Sequence, residues 1–132
     1  MNINEPYTSR LARLDPEIAQ KFALARAEYY RQVDWALDIR DAYVMGLRIR
    51  GVPVHLIRRD PETQAVVSRE QIVERRWASL DIGKSWWKPI LEAEATRPGG
   101  DIVLVAPRLD ESFDEQMEGI RRLRSAGISN PD

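Results

Sequence analysis

An α+β fold is what this sequence predicts, and three observations carry the prediction. Apolar residues recur at helical spacing from residue 16 to residue 50; two β-prone runs, VPVHLIRR and QAVVS, flank the turn signal DPET; and a continuous apolar run, DIVLVAP, precedes a strongly amphipathic C-terminal segment. The expected architecture is a long N-terminal amphipathic helix, intact or broken, with a small three-stranded, mostly antiparallel sheet built on a β-hairpin and further helices packed on it. One domain is expected over residues 15–128, after an extended lead-in at 1–14 and before a short flexible tail at 129–132.

The lead-in carries Pro6 and no sustained periodicity. Helical order begins at DPEIAQ, where Asp15 supplies an N-cap oxygen, Pro16 occupies the first helical position and Glu17 meets the positive end of the helix. Ile18, Phe22, Ala25, Tyr29, Val33, Ala36, Leu37, Tyr43, Val44 and Leu47 then share one broad stripe, and neither proline nor glycine intervenes before Gly46. An unbroken helix from 16 to 50 would be about 52 Å long, far beyond the radius of gyration of about 14 Å expected for a domain of this size. The helix therefore breaks, near DIRD at 38–41 or at Gly46, or its overhang packs against a second subunit.

The hairpin is expected to turn at Asp60 and Pro61. Ser68 and Gln71 form a capping box that opens a helix over about 69–80, with Ile72, Val73, Trp77 and Leu80 on its buried face. DIGKSWWK reads as a connection, and Pro89 opens a short helix that RPGG ends. DIVLVAP has the continuous apolar character of a strand buried on both faces and is expected to join the hairpin. Asp110 caps the last helix, in which acids lead, bases follow, and Gly127 provides the stop.

Composition bounds the function. The 20 basic and 21 acidic residues give a net charge of −1, so no global field favours a polyanion or a membrane surface. Cysteine is absent, which removes disulfides, thiolate metal sites and cysteine nucleophiles; one histidine, His55, is present. Charges interrupt every apolar run and the N-terminus lacks the apolar core of a signal peptide, so a cytoplasmic protein is expected. The strong preference for Arg over Lys fits a bacterial, GC-rich origin.

ASLDIGKSWWKP, residues 78–89, matches a permissive phosphate-loop pattern with Ala78 in the first glycine position. Its setting argues against that chemistry, because a polar helix rather than a buried strand leads into it and Pro89 falls where a helix would need an amide. Ser85 and Lys88 have the spacing of a serine–lysine acylase pair, which the intervening tryptophans and Pro89 disfavour. Trp86 and Trp87, flanked by Lys84 and Lys88, have the composition of a protein-contact surface, and these four are the candidate partner-binding residues. One tryptophan is expected to pack inward with Trp77 and the other to remain partly exposed.

Residues 44–91 carry nine bases against five acids, so a basic face that includes Arg58, Arg59, Arg75 and Arg76 is the candidate nucleic-acid surface in an alternative reading. Asp34, Asp38 and Asp41 fall on one face of the extended helix and read as solvated carboxylates rather than a metal site. Arg40 enters the apolar stripe and is expected to pair with a carboxylate, snorkel outward or mark the helix break. A less favoured enzymatic reading would assemble a pocket from His55, Tyr43 and Asp38. The function expected is that of a small, non-enzymatic protein-binding or regulatory protein, a homodimer, with no cofactor and no metal, acting through the long helix and the tryptophan loop.

Overall fold

The computed structural model describes residues 2–3, 15–42, 48–49 and 52–129 of the chain. The first helix, α1 (Pro16–Arg31), starts as its sequence dictates: Asp15 is extended and its carboxylate accepts the amides of Glu17 at 3.0 Å and Ile18 at 3.3 Å. It ends at Arg31, where the Gln32 amide donates to the Tyr29 carbonyl at 3.0 Å. Of the two alternatives, a broken helix or an overhang on a second subunit, the helix breaks, but its end at Arg31 comes earlier than DIRD or Gly46. What replaces it is non-local: β2 (Leu37–Asp38) pairs in parallel with β4 (Ile57–Arg58), Leu37 against Ile57 and Asp38 against Arg58. Residues 43–47, and with them the remainder of the expected stripe, lie outside the described residues.

Two further short ladders complete the β structure. β1 (Asn2–Ile3) pairs in parallel with β3 (Arg48–Ile49), and β5 (Gln64–Val67) pairs antiparallel with β6 (Ile102–Val105). The expected hairpin does not form among the described residues, since β4 and β5 belong to different ladders. Two local causes are visible. Val54–Leu56 coil into a 3-10 turn closed by the Leu56 amide on the Pro53 carbonyl at 2.9 Å, which leaves β4 two residues long. At the far side, the Gln64 amide reaches back to the Asp60 carbonyl at 3.0 Å, a single helical turn rather than a hairpin reversal. DIVLVAP does form the strand expected to be buried on both faces, but it joins β5 in a two-stranded ladder rather than completing a three-stranded sheet.

That ladder divides the core. Ala65, Val67, Ile102 and Leu104 face the larger apolar cluster, which the helices cover; Val66, Val103 and Val105 face a smaller one with Ile39 and Ile57. The alternation follows from the two-residue repeat of strands. Three helices supply the larger side: α2 (Arg69–Glu74), α3 (Trp87–Ala95) and α4 (Phe113–Ser125). Ser68 caps α2 by accepting the Gln71 amide at 3.3 Å, but the reciprocal half of the expected box is absent, and the Gln71 Oε1 is buried without a partner. α2 is also shorter than expected. Arg75 adopts a left-handed backbone, φ 57°, and Arg76–Ser79 continue as a 3-10 turn that carries Trp77 inward while Val73 stays exposed.

Arg69 ties α2 to the end of α3, donating to the carbonyls of Glu94 at 2.8 Å and Arg97 at 2.7 Å while its amide donates to Asp101 at 2.8 Å. At the far end of α4 the glycine stop works as expected. Gly127, φ 71°, permits its own amide to reach the Arg124 carbonyl at 2.9 Å and the Ile128 amide to reach Leu123 at 2.9 Å. Ile128 is buried beneath this cap, and Ser129, assigned above to the tail, is buried and bridges Val67. Asp110 lies further from α4 than a cap: its carboxylate accepts the Ser112 amide at 2.8 Å and the Ser112 hydroxyl, and Ser112 takes the cap position. No described helix is long and apolar enough to cross a membrane.

Candidate functional site

The apolar side of α1 stands uncovered in the described structure. No α1 residue is buried, and Ile18 is 40%, Phe22 57% and Tyr29 57% exposed. Ala25, at the centre of the same stripe, is exposed as well. Spacing of four, three and four residues places these side chains along one line of the helix. Glu17, Lys21 and Glu28 flank or precede them, and Glu28 is ion-paired to Arg31 and accepts the Gln32 side-chain amide at 3.0 Å. Just beyond the helix, Trp35 is 47% exposed with the Arg58 guanidinium 4.8 Å from its ring centroid. Sequence reasoning did not single out Trp35. A weak signal was present, since Trp35, Leu37 and Ile39 recur at strand spacing with Asp34, Asp38 and Arg40 as neighbours, though Ala36 breaks the polar alternation.

The tryptophan segment takes a different part. Trp87 is 1% exposed, belongs to the larger core cluster with Trp77, and donates its Nε1–H to the Gln116 carbonyl at 2.9 Å. Trp87 is therefore corrected from a contact residue to a core residue. The extended connection ends two residues earlier than expected, because α3 already begins at Trp87 with Pro89 in its first turn. Trp86 is partly buried, packs edge-on against Trp87 with centroids 6.3 Å apart, and its amide donates to the Gln116 Oε1 at 3.0 Å. Its own Nε1 is buried without a partner. Lys84 is exposed and Lys88 half-buried. Ser85 donates to the Ile82 carbonyl at 2.8 Å and the Gly83 amide to Asp81 at 2.9 Å, so the segment is held as a folded turn rather than an open amide cradle.

The four candidate nucleic-acid arginines are dispersed among internal partners. Arg58 lies over Trp35, Arg75 pairs with Glu92 at 2.5 Å and lies 6.0 Å from the Trp77 centroid, and Arg76 donates to the Ala126 carbonyl at 3.3 Å. Arg59 turns inward, with its Nη1 buried and unpartnered. Nearby, Arg124 donates to the carbonyls of Glu62 at 3.1 Å and Gln64 at 3.1 Å and also to Pro61. Burial, and then the Arg59 charge, lower the Arg124 pKa. Asp60 holds the same turn: burial raises its pKa, but hydrogen bonds from the Thr63 hydroxyl, the Glu62 amide and Arg108 outweigh that and hold it below the usual carboxylate range.

Asp34, Asp38 and Asp41 do not share a helical face, because α1 has ended before all three; among the described residues no cluster of three or more acidic or histidine side chains is placed to hold a metal. Arg40 takes the first of its expected roles. It pairs with Asp38 at 2.6 Å, and the hydrogen bonds from its side chain and then its amide pull the Asp38 pKa to about 2. His55 is exposed in the 3-10 turn and lines an open cleft of about 460 Å³ with Tyr30, Arg31, Asp34, Pro53 and Leu56. Asp38 does not line it, and Tyr43 lies outside the described residues, so the expected pocket of His55, Tyr43 and Asp38 is not assembled there. No family model matches the chain, and neither curated proteins nor solved structures give a match.

Proposed function

We propose that this chain is a small, cytoplasmic protein-binding or regulatory protein whose docking surface is the apolar line Ile18–Phe22–Ala25–Tyr29 of α1. The observation that carries this reading is a 16-residue helix with no buried residue and three large apolar side chains standing in solvent on one line. An isolated helix of this length is marginal in water, and helices in proteins are held mainly by burying their apolar stripe. A partner that covers the stripe supplies that burial. Trp35, exposed four residues beyond α1 and stacked under Arg58, adds residue types common at interface hot spots. The tryptophan turn supports the reading less, since Trp87 is committed to the core.

The test is the apparent size of the tagged chain in extracts of the cells that produce it. In extract kept concentrated enough to hold the chain above the micromolar range, it is expected to run above its own 15.2 kDa. Phe22→Glu, on the line, shifts it to smaller size, and Gln20→Glu, on the opposite side of α1, leaves it unchanged. Equal behaviour of the two variants would remove the basis for the proposal.

A further inference from the structure

Resting on the reading of α1 as a docking surface, we infer that its partner is a second copy of this chain, with the two α1 helices crossing antiparallel about a two-fold axis between residues 23 and 24. The spacing of the apolar line is the first ground. Four, three, four is a palindrome: an antiparallel copy centred between 23 and 24 sets Phe22 against Ala25 and Ile18 against Tyr29, each twice. Large residues thereby meet small ones at the centre, where helix axes must approach to about 8–10 Å. The spacing is also that of a heptad seam, in which Ile18 and Ala25 hold one core position and Phe22 and Tyr29 the other.

Charge selects the orientation. On a wheel of about 100° per residue, Lys21 and Glu28 flank the same edge of the line and Arg26 flanks the other. In an antiparallel pair like edges face each other, so Lys21 of each copy meets Glu28 of the other and two opposite-charge pairs form. In a parallel pair unlike edges meet, and neither of these opposite-charge pairs forms. Lys21 is exposed, and Glu28, though it accepts from Arg31 and Gln32 on its own helix, is exposed at its side chain and has acceptor sites left on both oxygens for the crossing contact. The antiparallel arrangement also sets the positive end of each helix dipole against the negative end of the other.

The contact is small. A helix of 16 residues is about 24 Å long, so the pair lies near the lower bound of stable interfaces, about 1,000 Å². A dimer dissociating in the micromolar range is expected, visible only as concentration rises.

The experiment is sedimentation equilibrium of the purified full chain, of Phe22→Glu, of Lys21→Glu, of Glu28→Lys, and of an equimolar mixture of the last two. The wild-type chain dimerises with concentration and Phe22→Glu does not. Each single charge reversal turns two attractive contacts into two repulsive ones and weakens its own dimer by roughly tenfold. The mixture recovers wild-type affinity, because the carboxylate introduced at position 21 of one variant then faces the ammonium introduced at position 28 of the other, while the second pair is native. A mixture no tighter than its components overturns the antiparallel register but leaves α1 as the surface if Phe22→Glu still abolishes the dimer. A wild-type dimer that survives Phe22→Glu overturns both this inference and the reading it rests on. A wild-type chain monomeric at every concentration overturns the second copy as partner, and α1 must then dock on a different protein. Circular dichroism of each variant establishes that the fold is intact, as substitutions at exposed positions permit.

Discussion

Replacing Gly119 by alanine should destabilise this protein, although the same change inside most helices stabilises them. Gly119 is buried in the middle of α4, where alanine is ordinarily favoured over glycine by about 0.5–1 kcal/mol. A Cβ at this position would run into the Ser85 Oγ and lie 2.5 Å from the Ser85 Cβ and 2.7 Å from the Trp87 Cδ1. Ordinary contact begins near 3.4 Å, so the Ser85–Trp87 segment would have to withdraw by roughly 0.7–1.1 Å. It is not free to do so. Gln116, one turn earlier on α4, accepts the Trp86 amide at 3.0 Å through its side chain and the Trp87 indole at 2.9 Å through its carbonyl, and Ser85 is bound to the Ile82 carbonyl at 2.8 Å.

Overpacking of this kind costs about 1–3 kcal/mol or more, which exceeds the propensity gain. A net loss of about 1–2 kcal/mol is expected in urea denaturation at pH 7, read as a lower midpoint with an unchanged slope. Ser85→Gly in the Gly119→Ala background removes two of the three close atoms and should restore part of the loss. Gly119→Ala equal to or more stable than the parent would refute the close docking of the tryptophan turn on α4.

The turn at residues 59–64 gives a contrast between two arginines. Arg124→Ala removes the donor to three carbonyls, one of them in the fully buried Gln64, and should cost about 2 kcal/mol in the same assay. Arg59→Met removes a guanidinium whose Nη1 is buried without a partner and whose charge opposes Arg124, and should be neutral within about 0.5 kcal/mol or stabilising; the reverse order would contradict the assigned roles. At Asp38, carboxyl-detected NMR should find a midpoint of about 2, moving up towards 3.8 in Arg40→Gln. A depressed folded pKa means that the stabilisation from this pair is fully present above the unfolded value and is lost as pH falls from about 4 to about 2. A wild-type midpoint near 3.8 would show that the pair does not form in solution.

How much of this was legible in the sequence depended on whether the determining chemistry was local. Asp15 before Pro16, Ser68 before α2 and Gly127 after α4 each act within four residues of where they stand, and each does what its residue type predicts. IVLV was recognisable because a strand buried on both faces has no polar alternation. The end of α1 was not legible, because the apolar spacing continues past Arg31 and neither glycine nor proline marks the stop. Beyond its end, Leu37–Asp38 pair with Ile57–Arg58, some twenty residues away, and helical periodicity carries no information about that partner. The hairpin failed for both kinds of reason: the 3-10 turn at Val54–Leu56 and the helical turn closed by Gln64 on Asp60 are local, and the pairing of β4 with β2 is not.

At the candidate site the α1 stripe was readable from residue types alone, whereas the division of labour between adjacent tryptophans was not. Trp87 points into the core because α3 begins there and Gln116 offers it a carbonyl, a contact made across about thirty residues of chain. Trp35 passed unnoticed because it sat inside the overextended helix, where its strand alternation was masked.

The docking face of α1 is tested most directly by a photocrosslinking scan in living cells, with a photoreactive residue placed in turn at each position from 17 to 30 of the full chain. Adducts are expected to peak at 18, 22, 25 and 29 and to vanish at 20 and 27, the period of one helical face in contact with protein. A flat profile, or a maximum on the opposite face, would contradict docking through this face.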